Sequence, residues 1–271
     1  RISIIAVHGL GGHWTRTWQA PDGAIWLRER IPRLFADTNV VCRVRSFGYN
    51  SAFAFTKGET DIAGCAKDLI DRISLMRRTD PEHVARPIIF VAHSLGGLVV
   101  KEALNIAWIR QSIYDDILAN VKGCVFMGVP HHGAGIARWA KHATQILRIA
   151  SLGFAGNANF LVTLEPKSPE WLRISSDFVE RGKDISFRTF YETERTGNIL
   201  VVDRASAAMH VPNEQVFAVP GSNHRTICQF SNLDNERFSL VGDAVLGLVQ
   251  TSRKGNDASS RRERATIIPE V

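Results

Sequence analysis

A serine hydroxyl is a weak nucleophile at neutral pH, and becomes a strong one when a neighbouring base takes its proton and a carboxylate orients that base. The stretch Ile88-Ile89-Phe90-Val91-Ala92-His93-Ser94-Leu95-Gly96-Gly97-Leu98 sets one serine where such chemistry could run. An apolar, β-branched run stops at Ser94, and two glycines lead into Leu98–Leu104, which has helical composition. Strand, tight turn and helix in that order hold a serine on a strained elbow. Residues two before and two after it must be small, because the strand and helix backbones nearly touch there. Ala92 and Gly96 satisfy this, with alanine a mild departure from glycine.

Nine histidines could supply the base, so position decides. His224 follows Pro220-Gly221-Ser222-Asn223, a loop five residues past the end of the last expected strand. From there an imidazole can reach back across the C-terminal edge of a sheet, and His224 is the expected base. For the acid, Glu192 is favoured because it ends an expected strand in Tyr191-Glu192-Thr193-Glu194. Asp203, in Val201-Val202-Asp203-Arg204, is the alternative, and Glu194 is a third choice. The oxyanion of a tetrahedral intermediate needs two backbone N–H donors, and losing one costs about 10²–10³ in rate. Leu95, next after the nucleophile, is one expected donor. Leu10, in the glycine loop His8-Gly9-Leu10-Gly11-Gly12, is the other.

Other motifs in these segments point elsewhere only weakly. The glycine loop has neither G-x-G-x-x-G nor G-x-x-x-x-G-K-[ST], so no nucleotide and no other cofactor is expected. His8 and His93 adjoin strand ends, which favours packing or orienting roles. His131-His132 lacks a third ligand at a recognisable spacing, so no metal is expected.

The elements that must position these residues alternate between strand and helix, the pattern of a mostly parallel twisted sheet with helices on both faces. Strands are expected at Ile2–Val7, Val40–Ser46, Ile88–His93, Cys124–Val129, Ile185–Tyr191, Ile199–Val202 and Val216–Val219. Helices are expected around Trp26–Phe35, at Asp61–Arg77, after the elbow and near Phe238–Val249. The second helix places Ile62, Ala66, Leu69, Ile70 and Ile73 on one face. Residues 134–182 interrupt the alternation and read as a helical lid or cap. Within them Ile136, Trp139, Ala140, Ala143, Ile146, Leu147 and Ala150 fall opposite Arg138, Lys141, His142, Gln145 and Arg148. Such a basic amphipathic helix could dock on a lipid interface; a cap packed on the sheet is the commoner arrangement and the preferred one. The reading is one domain over 1–250, with 251–271 as a disordered linker or tail.

A chain of 271 residues, 45% of them hydrophobic, can bury one full α/β core. No apolar run reaches the roughly 18 residues that span a bilayer. The chain starts on Arg1 and enters a strand at once, so it is read as a trimmed fragment in which no targeting peptide is seen. Cys42, Cys65, Cys124 and Cys228 are widely spaced, with no CxxC pair, which favours reduced thiols and a cytoplasmic setting. The net charge of +6 is dispersed rather than striped, and no nucleic-acid partner is expected.

With these residues in hand, the chain resembles the α/β-hydrolase superfamily. Within it, it is similar to the lipase-like serine-active-site family that includes the N-terminal hydrolase domains of fungal NOD-like (NACHT) receptors. The matching pieces are the His8–Gly12 loop, Ala92–Gly97, Gly128-Val129-Pro130-His131-His132-Gly133, Phe190–Thr193, Ser206-Ala207 and His224–Cys228. The resemblance implies hydrolysis of carboxylic esters, lipid esters foremost, through an acyl-enzyme; the alternatives are a thioesterase using the same residues and a non-catalytic signalling module of a larger immune-type receptor. It adds support for Glu192 as the acid. For the receptors it implies a nucleotide-binding domain following residue 271.

Overall fold

The computed structural model describes residues 1–36, 38, 40–51, 60–79, 86–131 and 169–265. Six parallel strands form one sheet in the order β2-β1-β3-β4-β5-β6, with β1 at Ile2–Val7, β2 at Cys42–Phe47, β3 at Ile88–His93, β4 at Val121–Met127, β5 at Ser186–Glu192 and β6 at Glu214–Val219. Parallel neighbours need crossovers, and helices supply them on both faces. These are α1 (Trp26–Glu29), α2 (Ile31–Leu34), α3 (Thr60–Thr79), α4 (Gly96–Ile109), α5 (Gln111–Asn120), α6 (Pro169–Arg181), α7 (Arg204–Ala207) and α8 (Asn235–Ala265).

The central strands are apolar throughout because both their faces are covered. In β3, Ile88, Phe90 and Ala92 join a core shared with α3, α4 and α6, whereas Ile89 and Val91 join one built with α1, α2 and α8. The expected face of α3 (Ile62, Ala66, Leu69, Ile70 and Ile73) is buried in the first core. Both sides of β3 are therefore fixed, which pins its register and the position of Ser94 just beyond its end.

Several elements differ from the sequence expectation. The helix expected over Trp26–Phe35 is two short pieces that meet at Arg30, with Pro32 in the first turn of the second. Proline has no N–H to continue the first piece, so the break falls there. No strand forms over Ile199–Val202, where only an isolated bridge pairs Thr196 with Ile199. The amides of Val201 and Val202 instead donate to the Glu192 side chain. The closing helix does not stop near Val249: α8 runs to Ala265, into the stretch expected to lack order. That stretch holds no proline to end a helix, although it has no apolar periodicity.

The expected lid is described only at its C-terminal end. There α6 packs Trp171, Ile174 and Phe178 into the main core, so this part is integral to the domain. The amphipathic segment 136–150 and His132 lie outside the described residues. All four cysteines are free thiols, Cys124 and Cys228 buried and Cys42 and Cys65 half-buried. Among the described residues, no helix is long and apolar enough to cross a membrane.

Candidate active site

The end of β3 and the start of α4 turn so tightly at Ser94 that its backbone takes φ = 52°. That left-handed conformation costs a non-glycine residue about 1–3 kcal/mol, and it persists only where the surroundings impose it. They do so here: the Ser94 amide donates to the Met127 carbonyl at 3.0 Å, extending the β3–β4 ladder, and the Gly97 amide donates to the Ser94 carbonyl at 3.0 Å. At Gly96 there is no room for a side chain without displacing backbone. A Cβ built on it would lie 2.3 Å from the Val7 carbonyl oxygen and 2.5 Å from that of His8.

Ser94 Oγ lies 2.9 Å from His224 Nε2, and His224 Nδ1 lies 3.0 Å from Glu192 Oε2. The three side chains come from β3, the loop after β6 and the end of β5. They are nearly buried, at 3%, 1% and 1% exposure. A carboxylate only accepts, so Nδ1 carries the hydrogen and Nε2 presents a lone pair to the hydroxyl. Glu192 Oε1 accepts the amides of Val201 and Val202, the latter at 2.8 Å. Three hydrogen bonds thus fix the carboxylate, two at Oε1 and one at Oε2.

The other carboxylates considered from the sequence have different partners. Asp203 caps α7, accepting the Ser206 amide at 2.9 Å and the Ser206 hydroxyl at 2.6 Å. Glu194 is exposed one turn of chain beyond Glu192. Of the three, the one that meets His224 Nδ1 is Glu192.

Leu10 and Leu95 are buried on two segments that converge on Ser94. The His8–Gly12 loop passes so close that a Cβ on Gly9 would lie 2.7 Å from Ser94 Cβ. Among the described residues, neither the Leu10 nor the Leu95 amide donates to another backbone carbonyl. Unclaimed donors beside the hydroxyl are what a developing oxyanion needs. The loop is held by contacts that no sequence spacing announced: Tyr49 donates its hydroxyl to the His8 carbonyl at 2.8 Å and stacks on the His8 ring at 4.5 Å. His8 in turn donates from Nδ1 to the Gly9 carbonyl, and burial lowers its affinity for a proton.

Two further histidines fall near the site. His93 Nε2 meets the backbone carbonyl of His224 at 2.8 Å. Burial first, then the neighbouring His224, pushes His93 down to about 3, so it stays neutral. His131 is buried against Lys101 Nζ, which also donates to Ser175 Oγ at 3.2 Å. Burial pushes Lys101 down to about 7.

Comparison with known proteins agrees with this geometry at the level of fold and family. The alpha/beta hydrolase family model matches residues 4–238. Protein SERAC1 from Homo sapiens is 26% identical over 210 residues, covering 71% of this chain and 30% of that protein. Protein SERAC1 from Danio rerio is 26% identical over 277 residues, covering 91% and 40%. The chain therefore spans less than half the length of these curated relatives. Among solved structures, a carboxyl esterase from Bacillus coagulans aligns with TM-score 0.53 at 12% identity, covering 93% of this chain and 90% of that one. Esterase B from Lactobacillus rhamnosis aligns with TM-score 0.52 at 14% identity, covering 95% and 79%. A six-stranded parallel sheet, an elbow at the end of its third strand in sequence and a family match across most of the sequence lead to one assignment: the chain belongs to the alpha/beta hydrolase family.

Proposed function

We propose that the protein is a serine hydrolase that cleaves carboxylic esters through an acyl-enzyme, with Ser94, His224 and Glu192 as its triad. The observation that carries this reading is the contact of His224 Nε2 with Ser94 Oγ at 2.9 Å while Nδ1 is held by Glu192 at 3.0 Å. In the first step the hydroxyl proton passes to Nε2 as Oγ bonds to the acyl carbon. Glu192 stabilises the imidazolium that results, and the Leu10 and Leu95 amides receive the oxyanion. The tetrahedral adduct collapses, the C–O bond to the alcohol breaks, and Nε2 returns the proton to the departing oxygen. A water activated by the same imidazole then releases the acid and restores Ser94.

Lipid esters are the substrate class we favour, following the family resemblance, and a thioester could use the same machinery. The test is labelling by a fluorophosphonate probe, followed by p-nitrophenyl esters of increasing chain length and matched oxygen and thiol esters. Wild type is expected to label and turn over, and Ser94→Ala to do neither. Equal labelling of both would point to another nucleophile and end the reading. A rate that rises with chain length supports a lipid substrate; faster turnover of the thiol member supports a thioesterase.

A further inference from the structure

The base must reach the hydroxyl from a distant strand. β6, whose loop carries His224, is separated from β3 by β4 and β5. Three strand spacings of roughly 4.8 Å put about 14 Å between the roots of the two groups. Glu192, at the end of β5, holds the imidazole from the far side, at Nδ1. The Thr196 hydroxyl accepts the His224 amide at 3.2 Å, also from beyond β5. Both of these contacts tie His224 to β5 and the segment after it, and neither reaches β3.

His93 supplies a link from the β3 side. It is the last residue of β3 and the covalent neighbour of Ser94. Its Nε2 lies 2.8 Å from the His224 carbonyl oxygen, which can only accept, so Nε2 carries the hydrogen. Its Nδ1 is buried with no hydrogen-bond partner among the described residues, consistent with an unprotonated nitrogen. The two rings lie 5.2 Å apart, tilted by 43°. A donor at this place must also be uncharged, because His224 becomes a cation when it accepts the serine proton. A lysine or arginine could make the same bond but would oppose that charge. A neutral, buried imidazole makes it without doing so.

We propose that His93 is a positioning residue whose Nε2–H tethers the backbone of His224 to the residue beside the nucleophile, holding base and hydroxyl at bonding distance while the proton passes. This rests on the triad reading above. Nucleophile and base are then fixed to one rigid strand end, so movement of β6 or its loop does not open the gap between them.

The test compares His93→Leu, which fills the space without a donor, with His93→Gln, whose side-chain amide can reach the same carbonyl. The readouts are the fluorophosphonate labelling rate, and kcat and KM for p-nitrophenyl acetate. His93→Leu is expected to lower kcat and labelling about ten-fold, the factor typical of one buried hydrogen bond left unmade, with KM unchanged. His93→Gln is expected to recover most of that loss. The proposal is overturned if His93→Leu labels at the wild-type rate, or if folded His93→Gln is as slow as His93→Leu. Ring-nitrogen NMR of the wild-type protein tests the tether without any substitution. It should show His93 as the neutral Nε2–H form from about pH 8 to pH 5, and an Nδ1–H form or a titration in that range would overturn the idea. Equal labelling of wild type and Ser94→Ala would instead remove the triad reading, while the NMR result would still decide whether the tether exists.

Discussion

Replacing Glu192 by glutamine changes one oxygen to an NH₂ group and keeps the volume, so its effect can be worked out from the contacts. Glu192 accepts at both oxygens: Val201 and Val202 amides at Oε1, and the His224 ring at Oε2. Glutamine has one acceptor and one donor end. If its NH₂ faces Val201 and Val202, three N–H groups oppose each other and two buried amides lose their acceptor. If it faces His224, Nδ1 must give up its hydrogen and Nε2 then carries it, so the ring presents a donor to Ser94 instead of a lone pair. In the first case unsatisfied buried groups cost about 1–3 kcal/mol each. In the second the base is in the wrong tautomer, for which a loss of about 10⁴ in kcat is the precedent in serine proteases. Because two amides outvote one ring, the second orientation should prevail. We expect Glu192→Gln to fold and to lose roughly 10³–10⁴ in p-nitrophenyl acetate turnover, with fluorophosphonate labelling slowed in parallel. Asp203→Ala is the control: loss of the α7 cap costs about 1 kcal/mol of stability and leaves turnover within a few-fold of wild type. Glu192→Gln retaining activity within ten-fold, or Asp203→Ala losing a thousand-fold while folded, would refute the assignment of the acid.

Two further predictions concern stability. Burial pushes Lys101 from 10.5 down to about 7. Between about pH 7 and pH 10.5 the unfolded chain therefore holds a proton that the folded one has released, and stability rises with pH across that window. Below about pH 7 both states carry the proton and the cost is complete, at most about 5 kcal/mol. Denaturant unfolding of Lys101→Met should lose this rise, and identical pH slopes for the two proteins would show that the ammonium is not desolvated as described. Gly96→Ala would drive a methyl group against the Val7 and His8 carbonyl oxygens. Both are backbone atoms, so the strain should exceed about 3 kcal/mol and lower the melting temperature by roughly 6–12 °C, readable by calorimetry. An unchanged melting temperature would mean that strand and helix have room to separate.

The sequence alone determined six strands of the sheet and the place of Ser94 at the turn after β3. Runs such as Ile2–Val7 and Ile88–His93 are short, largely apolar and rich in β-branched residues, the pattern of strands covered on both faces. The small residues around Ser94 can be read within ten residues of chain, although what Gly96 approaches, the Val7 and His8 carbonyls, lies on the distant β1 and its loop. His224 was legible because a parallel sheet ends all its strands on one edge, so the loop after the last strand had to face the first loops. Tertiary structure decided what depended on distant partners. Glu192, Glu194 and Asp203 all lie near strand ends in sequence, and what separates them is that Val201 and Val202 fold back onto Glu192 while Ser206 occupies Asp203. That same fold-back abolishes the strand expected at Ile199–Val202, because amides given to a side chain cannot also pair in a ladder. The Tyr49–His8 stack and the His93 tether join residues 41 and 131 positions apart. Spacing along a chain encodes which side chains share a face of one element. It does not encode which elements a loop will cross, and that is where these contacts are made.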